Sequence, residues 1–159
     1  MSIPAHIWFT DENNSPILGE CLISTRLWST ELKSLNHSVW IPTSPNTGKL
    51  TATRLHLPIT FEKEIDRITP YLFRAVCTGR TFKSALIKMY KIDDAGIERE
   101  YFNVILENVI ITRISPVLHP LGIASTHMEE VELRYESIEW KYCDGNITFK
   151  DTWNERAIA

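Results

Sequence analysis

Five histidines, three cysteines and a run of glutamates are the residues of this chain with the chemistry to ligate a metal, attack a carbonyl or move a proton. The histidines, His6, His37, His56, His119 and His127, are scattered, and even the closest pair has no third ligand at a metal-binding interval. Structural imidazoles, either satisfied or exposed, are expected. Glu129, Glu130 and Glu132 form a carboxylate cluster, but the surrounding alternation puts Glu132 on the polar side of a strand, where like charges suit a solvated face. Cys21, Cys77 and Cys143 have neither metal-type spacing nor a basic motif beside them, which predicts reduced and mostly buried thiols. Gly48-Lys49 approaches a phosphate-binding loop, yet Thr43 stands where the first glycine is needed and Leu50 where a hydroxyl would hold magnesium. There is no Gly-x-Ser-x-Gly, and the triplet Asn146-Ile147-Thr148 has no use as a glycosylation site without a secretory signal. No catalytic residue, cofactor or metal is expected. Trp28, Trp40, Trp140 and Trp153 are expected to pack or to anchor an interface.

Whatever these residues do, strands must hold them. With 159 residues, 17 basic and 20 acidic side chains and a net charge of −3, the chain can close a core and has no basic block of the kind nucleic acid selects. One domain over 1–159, without a further domain in the tail 151–159, and no nucleic-acid partner are expected. No apolar run is long enough to insert in a membrane, and Met1-Ser2-Ile3-Pro4-Ala5-His6 lacks the basic start and apolar core of a signal peptide, which predicts a cytoplasmic start.

The stretch from Leu57 to Lys91 reads as strand, short helix, strand. Thr69 can cap a helix, Pro70 suits its first position because its missing N–H has no partner there, and Gly79 can end it in the left-handed conformation. Leu72, Ala75 and Val76 make a narrow apolar stripe, so a helix of about Pro70-Thr78, too short to stand alone, must lie on β structure.

Around this unit, Ile3 to Phe9 is a strand, and Asp11 to Pro16 a turn; Gly19 to Ile41 is β-leaning but irregular. The extended loop of about Pro42-Thr53, rich in proline and small polar residues, projects from the body. Phe82 to Ile92 alternates cleanly, and Asp93-Asp94-Ala95-Gly96 is a hairpin turn. Tyr101 to Ile114 carries Phe102, Val104, Leu106 and Ile110 on one side and Ile105, Val109 and Ile111 on the other, which predicts a strand apolar on both faces. Val131, Leu133 and Tyr135 alternate in odd phase but Ile138, Trp140 and Tyr142 in even phase, placing a β-bulge near Glu136-Ser137. Many strands and one helix favour a closed or nearly closed barrel over a sheet with bare edges.

The run Asp66-x-x-Thr69-Pro70-x-Leu72-x-x-Ala75-x-x-x-Gly79, then Tyr101 to Thr112, then Glu130-Val131-x-Leu133-x-Tyr135-x-x-Ile138-x-Trp140-x-Tyr142-x-Asp144-Gly145 resembles the hemolysin-coregulated protein (Hcp) family of bacterial type VI secretion systems. The resemblance implies a mainly β fold, a tight barrel of two sheets with one short flanking helix. It implies no enzyme but a structural subunit: six-membered rings stack into a tube that a contractile sheath expels, with a VgrG-type spike at the tip, baseplate proteins below and small effectors in the channel. It also implies a protein that is cytoplasmic before firing and secreted afterwards without a signal peptide. A ring that closes needs a heterologous interface, and stacking needs a reaching contact, for which Thr43, Asn46 and Lys49 of the projecting loop are the candidates. A small-molecule-binding barrel without a secretion role is the alternative; an appended effector enzyme is disfavoured by the few residues after Asp144-Gly145.

Overall fold

The computed structural model describes residues 3–118, 120 and 126–154. His119 and the tail residues Glu155 to Ala159 lie outside the described residues. The fold is mainly β, organised on antiparallel pairings that return to their starting point. Strand β1 (Ala5–Thr10), with the two-residue β2 (Pro16–Ile17) on part of one edge, pairs with β8 (Thr81–Ile92). Strand β8 pairs with the long β9 (Glu98–Val117), β9 with β10 (Met128–Arg134), and β10 with β7 (Ile59–Glu64). The segment 30–36 closes the circuit: β3 (Thr30–Leu32) pairs with β1 and β4 (Ser34–Asn36) pairs with β7. Between them the Lys33 amide donates to the Glu62 carbonyl at 2.8 Å. A second, two-stranded sheet, β5 (Val39–Trp40) with β6 (Leu55–His56), leads into the projecting loop.

The interior is filled by Ile7, Phe61, Leu72, Ile87, Leu106 and Val131 among others, each almost wholly removed from water. Strand β9 is not apolar on both faces in the expected sense. It changes face at Asn108, whose φ of 50° is left-handed, so Val104 and Leu106 point inward before it and Val109 and Ile111 after it, while Ile110 is exposed. The bulge expected near Glu136-Ser137 is also elsewhere. The register of β9 with β10 slips between Glu132 and Leu133. At Tyr135 and Glu136 the ladder is interrupted, but β11 (Ser137–Tyr142) resumes opposite β9 along the line of β10, and the Glu136 amide is shared by the Glu107 and Asn108 carbonyls. Strand β12 (Ile147–Thr152) folds back on β11 through the turn at Asn146, φ 49°, and Gly145, φ 85°.

Helix α1 (Thr69–Thr78) lays Leu72 and Ala75 on the barrel, with Val76 half-covered, and ends at Gly79 with φ 66°. Pro70 sits in the first turn. Thr69 does not cap it. Ile68 is the N-terminal flanking residue and no side chain caps the helix, because the Thr69 hydroxyl is turned back to the Asp66 amide and to buried charges.

Candidate functional site

Two polar clusters hold the parts of this molecule that differ from a plain barrel. The first lies under α1. Ile59, Phe61 and Lys63 point inward along β7, and Glu129, Val131 and Leu133 along β10, and Glu129 is the cross-strand partner of Lys63. Both charged side chains are therefore wholly buried. The Lys63 Nζ meets Glu129 Oε1 at 2.5 Å and Asp66 Oδ1 at 2.8 Å, and donates to the Glu64 carbonyl at 2.9 Å; the Thr69 hydroxyl donates to Glu129 at 2.8 Å. Asp66 accepts from the Ile68 amide and from the Thr30 hydroxyl of β3, so the cluster ties the helix start to the closing segment. The expectation of a solvated glutamate face is thus corrected for Glu129, which faces the core, while Glu130 and Glu132 face outward toward Arg113.

The second cluster roots the projecting loop. The ribbon β5–β6 leaves the body at the Ser38 carbonyl, which accepts from the Leu57 amide, and continues through Thr51 on Pro42, the Thr43–Leu50 bridge and Ser44 on Lys49. Thr43, Asn46 and Lys49 are exposed at its far end, with Gly48 turning the chain at φ 68°. At the root, Arg54 donates from Nε to Asp151 Oδ2 at 2.5 Å and from Nη2 to Asp151 Oδ1 at 2.6 Å. His56 Nε2 lies 2.8 Å from the same carboxylate, His56 Nδ1 2.7 Å from the Tyr135 hydroxyl, and His37 Nε2 2.8 Å from that hydroxyl on its other side. Asp151 can only accept, so His56 presents Nε2–H to it; in the tautomer with a bare Nδ1, His56 accepts there from the Tyr135 hydroxyl, and the Tyr135 oxygen accepts from His37. Trp153 stacks on His56 with ring centroids 5.6 Å apart, and Arg134 lies over the Trp153 ring. The Arg54 guanidinium, and secondarily the His56 bond, hold Asp151 down to about 2; burial, and then the neighbouring His56, hold His37 down to about 4; burial and then Asp151 push Tyr135 upward.

A carboxylate–histidine–tyrosine chain has the parts of a proton relay, but among the described residues it points at no nucleophile, and Trp153 and Trp140 pack on its histidine rings. Among the described residues no group of three or more His, Cys, Asp and Glu converges as a metal cage. The thiols are less buried than their neighbours suggested: Cys77 is exposed on α1, and Cys21 and Cys143 are half-buried, with burial pushing the Cys143 thiol up. His6 is buried against Ser29, and His127 is exposed. No helix of the described residues is long and apolar enough to cross a membrane.

The remaining surface carries several large apolar groups. On one face of the β11–β12 hairpin, Trp140 is paired with Phe149 and Tyr142 with Ile147, and Phe149 and Ile147 are 75% and 68% exposed. Beside the ribbon root, Val39, Trp40, Ile41 and Leu55 are open to solvent. A separate patch follows β2, with Leu22 72% exposed next to Ile23, Leu27 and Trp28, and α1 shows Tyr71 and Phe73 outward. Alternation alone marks Lys63 as inward-facing by its phase with Ile59 and Phe61, and Glu129 by its phase with Val131 and Leu133. The Tyr135 cluster has no such local signal, since its members come from distant segments.

Comparison with known proteins gives one consistent result. The family model described as "Type VI secretion system effector, Hcp" matches residues 7–142. The "Major exported protein" of Pseudomonas aeruginosa PAO1 is 30% identical over 126 residues, covering 77% of this chain and 73% of that protein. A solved tryptophan double mutant of Hcp1 from the E. coli EAEC 042 pathovar is 49% identical, with a TM-score of 0.88 over 96% of this chain and 99% of its own. The secreted protein Hcp3 of Pseudomonas aeruginosa shares the fold at 24% identity, with a TM-score of 0.79 over 97% of this chain and all of its own.

Proposed function

Since the chain belongs to the Hcp family of type VI secretion proteins, we propose that it is the repeating subunit of a secretion tube: six copies close a ring, and rings stack end to end. The family membership makes it a structural tube protein of an export machine, and not an enzyme. In this reading the tube is held ready in the cytoplasm, a contractile sheath drives it out behind a VgrG-type spike mounted on a baseplate, and small effector proteins travel in the channel.

The observation that carries the ring is that two of the exposed apolar patches lie on different parts of a barrel whose core is already full. The hairpin face of Trp140, Tyr142, Ile147 and Phe149 and the segment Leu22 to Trp28 are different surfaces. Unlike surfaces that meet between copies give a heterologous contact, and a heterologous contact that closes gives a ring. The loop with Thr43, Asn46 and Lys49 supplies the contact from ring to ring. The filled interior supports this reading over a small-molecule-binding barrel, because Ile87, Leu106, Val109 and Leu133 occupy the space a ligand would need. Light scattering on a size-exclusion column tests the ring: a mass near six chains, on the order of 110 kDa, is expected. A monomer that persists at high concentration overturns it.

A further inference from the structure

We propose that the root of the projecting loop is a proton-operated latch, which holds the ribbon against the C-terminal hairpin while at most one of His37 and His56 is charged and lets it go when both are. The inference rests on the tube reading only for its consequence, the loss of ring-to-ring contact; the latch itself concerns the chain alone.

The argument is one of counting protons at the Tyr135 oxygen. A phenol has one proton to give and room to accept from two donors. In the neutral cluster every group is served: Arg54 and His56 Nε2–H to Asp151, Tyr135 O–H to His56 Nδ1, and His37 Nε2–H to the Tyr135 oxygen. One added proton is accommodated in either of two ways. On His37 it sits at Nδ1, away from the phenol. On His56 it reverses the chain, so that His56 donates to Tyr135 and Tyr135 donates to a bare His37 Nε2. With both rings charged, two N–H donors face one oxygen, and the phenol proton has lost both of the histidine nitrogens that could accept it.

Charge counting gives the same answer. The groups facing the histidines are Asp151 from β12, Arg54 from the ribbon itself and Arg134, from β10, over Trp153. Two histidine cations would join these two guanidiniums around Asp151, the carboxylate that Arg54 and His56 share among the described residues, in surroundings where burial already opposes charging of His37. The cheapest escape is for the ribbon carrying Arg54 and His56 to leave, since beyond its root the ribbon bonds to itself through the Thr43–Leu50 bridge. The barrel contributes no member of the ribbon and does not have to open.

Hydrogen exchange of the full-length protein, corrected for the intrinsic pH dependence of amide exchange, tests this. Protection over 38–57 is expected to fall by about tenfold or more between pH 7 and pH 5 while β8 keeps its protection. The double variant His37→Gln with His56→Gln is expected to show the same protection at both pH values. Wild-type protection of 38–57 that does not change with pH overturns the latch whether or not the variant folds, and so does a folded variant that retains the full pH dependence. Tube length measured in the same samples separates the two readings: a released ribbon with intact tubes leaves the latch standing and removes the loop from the stacking contact.

Discussion

At the scale of single residues, the most consequential pair is Lys63 with Glu129. Neither is exposed, their separation is 2.5 Å, and Glu129 Oε2 is a buried oxygen without a hydrogen-bond partner. A charge in that setting is tolerated only while its partner is present. Lys63→Met leaves the buried Glu129 carboxylate with the Thr69 hydroxyl but without its cation and is expected to cost about 3–5 kcal/mol in chemical denaturation, whereas Lys63→Met with Glu129→Leu returns most of that loss. A double variant no more stable than the single one would assign the cost to lost packing. Acidity acts on other residues. Burial is the first cause holding His6 and His37 to about 4, against an ordinary 6.5. The unfolded chain then binds more protons than the folded one below 6.5, so stability is complete above that value and is lost as pH falls toward 4. Asp151, held to about 2 against an ordinary 3.8, adds a second decline as pH falls from 3.8 toward 2. Thermal melts taken across these intervals check both, and a profile flat from pH 7 to 4 contradicts the first. The absence of nucleophile, metal and phosphate motifs is readable residue by residue. The inward Lys63 and Glu129 are readable from strand phase once composition is set aside. The cluster at Tyr135 is not, because His37, His56, Tyr135 and Asp151 meet only through the barrel's closure.

At the scale of elements, the ribbon and its loop are separable from the barrel. Hydrogen bonds within 42–51 stay inside the loop, so replacing Pro42 to Lys49 with a short Gly/Ser turn is expected to leave a folded protein that forms rings but stacks poorly. Negative-stain microscopy reads this directly, and variant tubes as long as wild type would remove the loop from the contact. Gly79 tests the helix end. A Cβ there meets nothing within 4 Å, yet φ is +66°, so Gly79→Ala is expected to cost about 1 kcal/mol through backbone conformation alone, and Gly79→Asn less. The helix and hairpins were legible because their signals are local: Pro70 and Gly79 bracket α1, and Asp93 with Gly96 makes the β8–β9 turn. The face change at Asn108 was not, since a left-handed asparagine in mid-strand leaves the same apolar composition on either side. Reading Val104 and Leu106 together with Val109 and Ile111 as two apolar faces of a straight strand was the natural consequence.

At the scale of the whole molecule, the outside is as informative as the core. Phe149→Glu with Ile147→Glu alters side chains that are mostly in water already, so each change is expected to move the stability of the monomer by no more than about 0.5 kcal/mol. The same change puts charge in the middle of the proposed ring contact, and the mass by light scattering is expected to fall from the ring to the single chain. A stable ring in that variant would move the contact to another face. The closure of the barrel carries a last consequence, for the order in which the molecule assembles itself. The segment 30–36 joins β1 by the three pairs Ala5–Leu32, His6–Glu31 and Ile7–Thr30, and β7 by the three pairs Ser34–Glu62, Leu35–Phe61 and Asn36–Thr60. By comparison, β8 and β9 are long neighbours across a tight turn. Contacts near in sequence form first and short, distant ones last. The folding chain is therefore expected to pass through a curled open sheet around the β8–β9 hairpin, with β1 and β7 unpaired along the seam, until one seven-residue strap crosses from β1 to β7 and takes those two edges out of a neighbouring chain's reach, leaving β12, paired among the described strands with β11 alone, as an open edge.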